Sequence, residues 1–179
     1  MAEEQESPVE RLSEDLHEEA QHARESWLRG SALLSALLAV IAAVASLKSG
    51  HAINTSMLAQ IQAADQWNYY QAKGLKLMLV ETEQTLLQQL GKPQAADSQR
   101  LQKYHAEQEA IKTKAEALAE SAQQHLDQHE VLSRAVTISQ IAIAIVAIGV
   151  LTRRRHFVLV AGVLGIGGLW FLLQGLWMS

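Results

Sequence analysis

The chain has 179 residues, a formal net charge of −4 and no cysteine. The lack of cysteine excludes thiol catalysis, thiolate metal sites and disulfide bonds. Nine acidic side chains against three arginines in residues 1–29 argue against nucleic acid as a partner.

Residues 1–29 are predicted to form an acidic amphipathic helix. Ser7-Pro8-Val9-Glu10 has the serine cap, the first-turn proline and the glutamate of a helix start. Apolar side chains then recur at spacings of three and four as far as Trp27. Gly30 weakens the junction with the next segment, so the sequence leaves open whether this helix continues into the first span.

Three stretches without charge are predicted to be transmembrane helices, at 30–47, 135–152 and 157–177. Each is close to the ~20 apolar residues that cross a ~30 Å hydrocarbon core. Burial inside a soluble protein is the alternative, but the remaining segments are too polar to enclose three such helices. A signal peptide fits the first stretch poorly, since it follows a net-acidic segment instead of a short basic one.

Residues 48–134 are predicted to form a long antiparallel coiled-coil hairpin between the first two spans. Gly91-Lys92-Pro93 is the one clear helix breaker, which places the turn at 91–93. The first arm has one apolar side, which we take as its seam: Leu75, Met78, Leu79, Thr82, Leu86 and Leu90. The second arm alternates spacings of three and four for more than four heptads, at Leu101, Tyr104, Gln108, Ile111, Ala115, Leu118, Ala122, His125, His129 and Leu132. A two-helix core this thin is marginal, so we expect further helices to pack against it.

The basic loop 153–156 determines the predicted orientation. Its Arg153, Arg154 and Arg155 form the densest positive cluster in the chain, and short arginine-rich loops stay on the cytoplasmic side. Two arginines before the first span indicate the same side. We therefore predict a bacterial inner-membrane protein with a cytoplasmic N-terminus and a periplasmic hairpin and C-terminus.

Small residues in two of the spans are candidates for helix packing in lipid, because they let helix backbones approach closely. They are Ser31, Ser35, Ala39 and Ala43 in the first span, and Ala161, Gly165 and Gly168 in the third. The alternative is that Ala and Gly are simply common in membrane helices. The spans contain no Asp, Glu, Lys or Arg at their centres, which argues against an ion or proton path.

Three histidines are a minor candidate for a metal site. His125 and His129 lie four apart, as helical ligands do. Folding the hairpin about Lys92 puts position 129 opposite position 55 and brings His51 within about one turn of it. The alternatives are a pH-sensitive seam or polar residues that restrict register. No cofactor is expected.

The densest unusual cluster is the segment from Asp65 to Lys73. A two-helix hairpin cannot bury its three rings together, because they point in different directions around the helix. Trp and Tyr are favoured anchors of protein interfaces. The segment therefore predicts an interface, with these candidate residues: Asp65, Gln66, Trp67, Tyr69, Tyr70 and Lys73.

The same region carries a resemblance to a known family. The segments Gly50-His51-Ala52-Ile53-Asn54, Met57–Ala63 and Asp65–Gly74 resemble the hallmark of a bacterial membrane-protein family catalogued as a domain of unknown function. The His- and Glu-rich N-terminus and the paired apolar segments near the C-terminus fit the same family. The resemblance implies an inner-membrane protein and brings no catalytic residues with it.

The sequence thus predicts an all-α membrane protein that is not an enzyme, because no nucleophile elbow, phosphate loop, zinc-protease signature or dinucleotide fingerprint is present. The leading hypothesis is a homo-oligomeric scaffold in contact with membrane lipid. One alternative is a sensor or accessory subunit with an unidentified membrane or periplasmic partner. A channel or transporter subunit is a weaker alternative.

Overall fold

The computed structural model describes the backbone of residues 8–92 and 96–178, and the side chains of 26–92 and 99–178. Three α-helices make up this part of the chain: α1 (Pro8–Gln89), α2 (Ala96–Thr152) and α3 (Arg155–Trp177). The first two pack against each other as a long hairpin, and each of the three contains a stretch apolar enough to cross a membrane. The predicted all-α fold with three spans and a hairpin between the first two is confirmed.

Helix α1 is continuous from Pro8 to Gln89, so the N-terminal helix and the first span are one element. Gly30 lies within it and meets no atom within 4 Å at the position of a Cβ. A single glycine costs a helix only about 0.5–1 kcal/mol relative to alanine, which the flanking turns offset. The predicted cap Ser7 and the apolar side chains between residues 8 and 25 lie outside the residues described.

The turn that ends α1 follows from Gly91. Its φ of 70° is the left-handed conformation that glycine adopts without steric cost. The Gly91 amide donates to the Gln88 carbonyl at 3.1 Å, and the Lys92 amide donates to the Leu87 carbonyl at 2.9 Å. This pair of bonds is a Schellman motif, which satisfies carbonyls that a helix end leaves unpaired. Pro93, the third residue of the predicted turn, lies outside the described residues.

A second Schellman motif joins α2 to α3, with an arginine in the glycine position. Arg153 has a φ of 55°, and the Arg153 and Arg154 amides donate to the Val150 and Gly149 carbonyls at 3.3 and 3.1 Å. A Cβ on Gly149 would lie 3.0 Å from the Phe157 Cβ, so the glycine lets the start of α3 fold back closely on α2. Arg155 is already the first residue of α3.

The chain divides into two compact units, described separately below. The membrane unit comprises the chain up to Leu47 together with Val131–Met178, and the hairpin unit comprises Lys48–Glu130.

In the membrane unit, α3 packs against α1 and α2 through small residues. Two buried clusters form its core: Leu38, Ala142, Val146 and Ala161 in one, and Ala45, Leu132, Ala135 and Leu172 in the other. A Cβ on Gly165 or Gly175 would meet Leu38 or Leu132 at 2.7 or 2.6 Å, respectively. Glycine at these positions therefore permits an approach that no larger residue allows without displacement.

In the hairpin unit, the buried side of α1 is made mostly of small residues at alternating spacings of three and four: Ser49, Ala52, Ser56, Ala59 and Ala63, followed nearer the turn by Leu77 and Val80. The matching side of α2 includes the predicted seam positions Ile111, Ala115 and Ala122, which are also buried. Small seam residues bring the two backbones close, and the Ser56 hydroxyl donates directly to the Ala122 carbonyl at 2.7 Å.

The seam predicted for the first arm is wrong. Its five large apolar side chains, Leu75, Met78, Leu79, Leu86 and Leu90, are between 55% and 72% exposed. Leu77 and Val80 are buried in their place, because α1 is one unbroken helix and the small residues of its earlier turns fix its rotation. The register is also shifted: His129 lies against Ser49, six positions before the predicted position 55.

Candidate functional site

The aromatic segment divides between the inside and the outside of the hairpin. Gln66, Tyr70 and Lys73 are partly buried on the side facing α2, whereas Asp65 is exposed. Trp67 is partly buried and packs edge-on against Tyr70, with ring centroids 5.5 Å apart and an interplanar angle of 79°. Four of the six predicted interface residues are therefore partly buried within the chain.

Lys73 is the centre of a polar cluster inside the hairpin. Its ammonium forms an ion pair with the Glu107 carboxylate and lies 5.5 Å from the ring centroids of both Tyr69 and Tyr104. Only 14% of the lysine side chain is exposed. The two ring faces and the carboxylate compensate the charge where water is largely excluded. The sequence did not single out Glu107. The signal that could have found it is Lys73, because a lysine on the side that faces α2 requires an anion on the other arm.

The ion pair shifts both ionisation equilibria. The hydrogen bond from Lys73 holds the pKa of Glu107 below its ordinary value of 4.5, against the opposing effect of desolvation. The hydrogen bond to Glu107 likewise raises the pKa of Lys73 above 10.5. The contribution of Glu107 to stability is therefore present above its unfolded pKa and is lost as the pH falls through its folded pKa. That of Lys73 is present below 10.5 and is lost at higher pH.

We expect Glu107→Gln to flatten the acid limb of the stability profile. The wild-type chain should lose thermal stability between pH 6 and about pH 3 more steeply than the variant, because only the wild type must protonate this carboxylate. Circular dichroism melts in nanodiscs measure the difference. Glu109→Gln is the matched control, because the Glu109 side chain is 72% exposed and its carboxylate lies as far as 4.0 Å from the Lys112 ammonium. Parallel profiles for wild type and Glu107→Gln would rule out the coupling.

The three candidate histidines are not brought together. His129 Nδ1 lies 2.8 Å from the Ser49 hydroxyl and 3.0 Å from the Ser49 carbonyl oxygen. Both contacts hold the His129 ring against Ser49. His51 is exposed, because two residues turn it about 200° from Ser49 around α1. Among the residues described, no three His, Cys, Asp or Glu side chains are placed to hold a metal ion.

The small residues of the spans also fall into two groups. Ser31, Ala161, Gly165 and Gly168 are buried within the membrane unit, and the Ser31 hydroxyl donates to the Trp27 carbonyl at 2.9 Å. Ser35 is partly buried, whereas Ala39 and Ala43 are exposed. Packing of these two alanines against a second copy stays a prediction.

The outer face of α1 in the hairpin unit carries a line of exposed apolar side chains. We call this line the outer stripe; it consists of Leu75, Met78, Leu79, Leu86 and Leu90. The hairpin unit lies in the polar part of the chain, where no lipid is expected to cover these side chains. Several large apolar side chains exposed on one side of a helix are typical of interaction sites on soluble surfaces.

The matched residues decide the family. Residues 27–178 match the family described as "Domain of unknown function (DUF4337)". The chain belongs to this family. No curated protein and no solved structure matches it. The resemblance noted in the sequence is confirmed at this level, and the DUF4337 match includes the Lys73 cluster and the outer stripe.

Proposed function

We propose that this DUF4337 protein is a non-enzymatic scaffold of the bacterial inner membrane, which assembles with copies of itself through its hairpin. The observation that carries the proposal is the outer stripe. Five large apolar side chains stay exposed on a helix that already uses its other side against α2. In water such a surface favours association with another apolar surface.

The stripe provides a substantial part of what an interface needs. Burying a large apolar side chain removes roughly 60–120 Å² from water, so five contribute about 300–600 Å². A stable interface buries about 800 Å² on each partner. Trp67 and Tyr69 also have exposed surface on the same helix and are available to extend the contact.

A second copy is the occupant we propose. Identical chains anchored in one membrane with one orientation hold the same residues at the same height above it. Two outer stripes therefore meet in parallel register about a two-fold axis, an arrangement in which each residue contacts its own equivalent. Two hairpins joined in this way form a four-helix bundle, which supplies the further helices that the thin seam requires.

The proposed orientation places the hairpin in the periplasm. Arg153, Arg154 and Arg155 are all exposed at the turn between α2 and α3, and a short basic turn favours the cytoplasmic side. A reporter fused after Ser179 should be active in the periplasm and silent in the cytoplasm. The reverse result would invert the orientation.

The experiment that tests the proposed function is the mass of the complex extracted into nanodiscs, with every co-purifying chain identified. A homo-oligomer of defined mass supports a scaffold. A monomer contradicts self-assembly. A foreign chain in fixed stoichiometry would contradict the role of scaffold. It would support the role of accessory subunit, in which the outer stripe binds a different protein.

A further inference from the structure

Gln140 faces outward from the membrane unit at a depth where lipid hydrocarbon surrounds the chain. It lies in the uncharged stretch 135–152, six residues beyond Arg134 on α2, which corresponds to about 9 Å along the helix. Its side chain is exposed. Within the described part of the chain, its amide has no hydrogen-bond partner.

An exposed amide at this depth is unfavourable for a single chain in a bilayer. The amide offers two donors and an acceptor, and lipid tails satisfy none of them. A polar group without a hydrogen bond is far costlier in hydrocarbon than in water. Polar side chains on membrane helices accordingly promote contacts with other helices.

The surroundings of Gln140 permit such a contact. Thr137 and Ala144, at helical spacing on either side of it, are small and exposed, and the Thr137 hydroxyl is already satisfied by the Ser133 carbonyl at 2.9 Å. The outward face of α3 carries bulky side chains at the same depth, and that of α1 exposes small residues such as Ala39 and Ala43 but no amide. The small neighbours of Gln140 therefore leave its amide accessible to a second helix.

We infer that two copies of the chain associate within the bilayer through α2, with their Gln140 amides hydrogen-bonded to each other. One amide both donates and accepts, so two equivalent side chains across a two-fold axis satisfy each other without any other partner. The inference rests on the proposed self-assembly and adds a contact inside the membrane that the outer stripe does not supply.

Gln174 offers a matched control. It is also exposed, but it lies on α3 three residues before Trp177, the last residue of that helix. Its amide is therefore close enough to the membrane surface to reach water and lipid headgroups. The same chemical change at the two glutamines separates the effect of depth from the effect of residue type.

The test is a dilution series of the full-length chain in liposomes, with energy transfer between donor- and acceptor-labelled copies. We expect Gln140→Leu to weaken association about 3- to 30-fold, Gln140→Asn to retain most of it, and Gln174→Leu to leave it unchanged. Cysteine cross-linking gives a geometric readout, because the chain has no cysteine of its own. Ala144→Cys should form a disulfide between copies, whereas Val163→Cys on α3 should not.

The outcomes separate this inference from the proposed function. Unchanged association of Gln140→Leu, in a chain that dissociates when its outer stripe is altered, overturns the α2 contact and leaves the scaffold in place. Wild-type chains that transfer no energy at any dilution overturn both. If the wild type retains a foreign polypeptide that Gln140→Leu loses, that polypeptide and not a second copy contacts α2 at Gln140.

Discussion

The double substitution Leu75→Glu/Leu79→Glu is expected to convert the assembly into single chains while leaving the hairpin folded. Both leucines are more than 60% exposed in the single chain, so the new carboxylates stay in water when the chain is alone. In a parallel pair they would place four like charges in a contact that excludes water. An uncompensated buried charge costs about 3–5 kcal/mol, enough to weaken assembly by at least a hundredfold.

The measurement is the mass of the nanodisc complex together with its helical circular dichroism. Loss of mass at constant helicity identifies a contact surface, whereas loss of both identifies misfolding. Ala106→Glu/Ala110→Glu is the matched control, since it adds the same two charges at the same spacing to exposed positions on α2. Assembly should survive in this variant.

A charge-reversal pair makes the test specific for two copies of the same chain. Leu79→Glu and Leu79→Lys chains should each assemble poorly alone, and they should form a mixed pair when co-expressed with different tags, because opposite charges then meet across the axis. Equal recovery of all combinations would show that the outer stripe is not the surface on which copies meet.

The spans and the hairpin could be predicted because their signals are local. An uncharged run of about 20 residues has few structural outcomes other than a membrane helix. Gly91 similarly determines its turn, since a left-handed φ is open to glycine at no cost. The continuity of α1 through Gly30 was left open by the sequence, because one glycine weakens a helix by less than its neighbours stabilise it.

The rotation of α1 could not be predicted, because this helix has two apolar sides in the hairpin. Leucine and methionine make the outer stripe the more hydrophobic side, and a hydrophobic pattern alone assigns that side to the core. The side that contacts α2 contains serine, alanine and the charged Lys73. Its advantage is close backbone approach and a paired cation, and both depend on which residues of the other arm lie opposite.

The register in which the two arms pair could not be predicted either, because it also depends on which residues of the other arm lie opposite. Folding the chain about Lys92 puts Ser56 opposite Gln128, and the helix bounds, α1 to Gln89 and α2 from Ala96, are nearly symmetric about that residue. Small residues then determine which positions meet, and the bond from Ser56 to the Ala122 carbonyl requires the observed offset. The expected approach of His51 to His129 rested on that symmetric folding, whereas Ser49 lies against His129 in the structure.

Gly168→Ala is expected to destabilise the packing of α3, and Ser139→Ala is expected to remove most of that effect. A Cβ on Gly168 would lie 2.6 Å from the Ser139 hydroxyl oxygen, and the next nearest atom, the Ala135 carbonyl oxygen, is at an ordinary 3.5 Å. The serine is buried, so its hydroxyl has little space in which to move. Overpacking of this kind costs about 1–3 kcal/mol.

The double variant isolates the cause. Within the described structure the buried Ser139 hydroxyl has no hydrogen-bond partner, so Ser139→Ala alone loses no bond and should be neutral or stabilising. In that background the methyl group of Gly168→Ala meets only van der Waals contacts, and the two changes should therefore be strongly non-additive.

Unfolding in mixed micelles gives the free energies. Gly167→Ala, where a Cβ meets nothing within 4 Å, should be neutral or slightly stabilising through its helix propensity. If the effects of Gly168→Ala and Ser139→Ala on the free energy of unfolding were additive, the new methyl group would not meet the Ser139 hydroxyl. In that case α3 would lie farther from α2 than the contact at Gly168 requires.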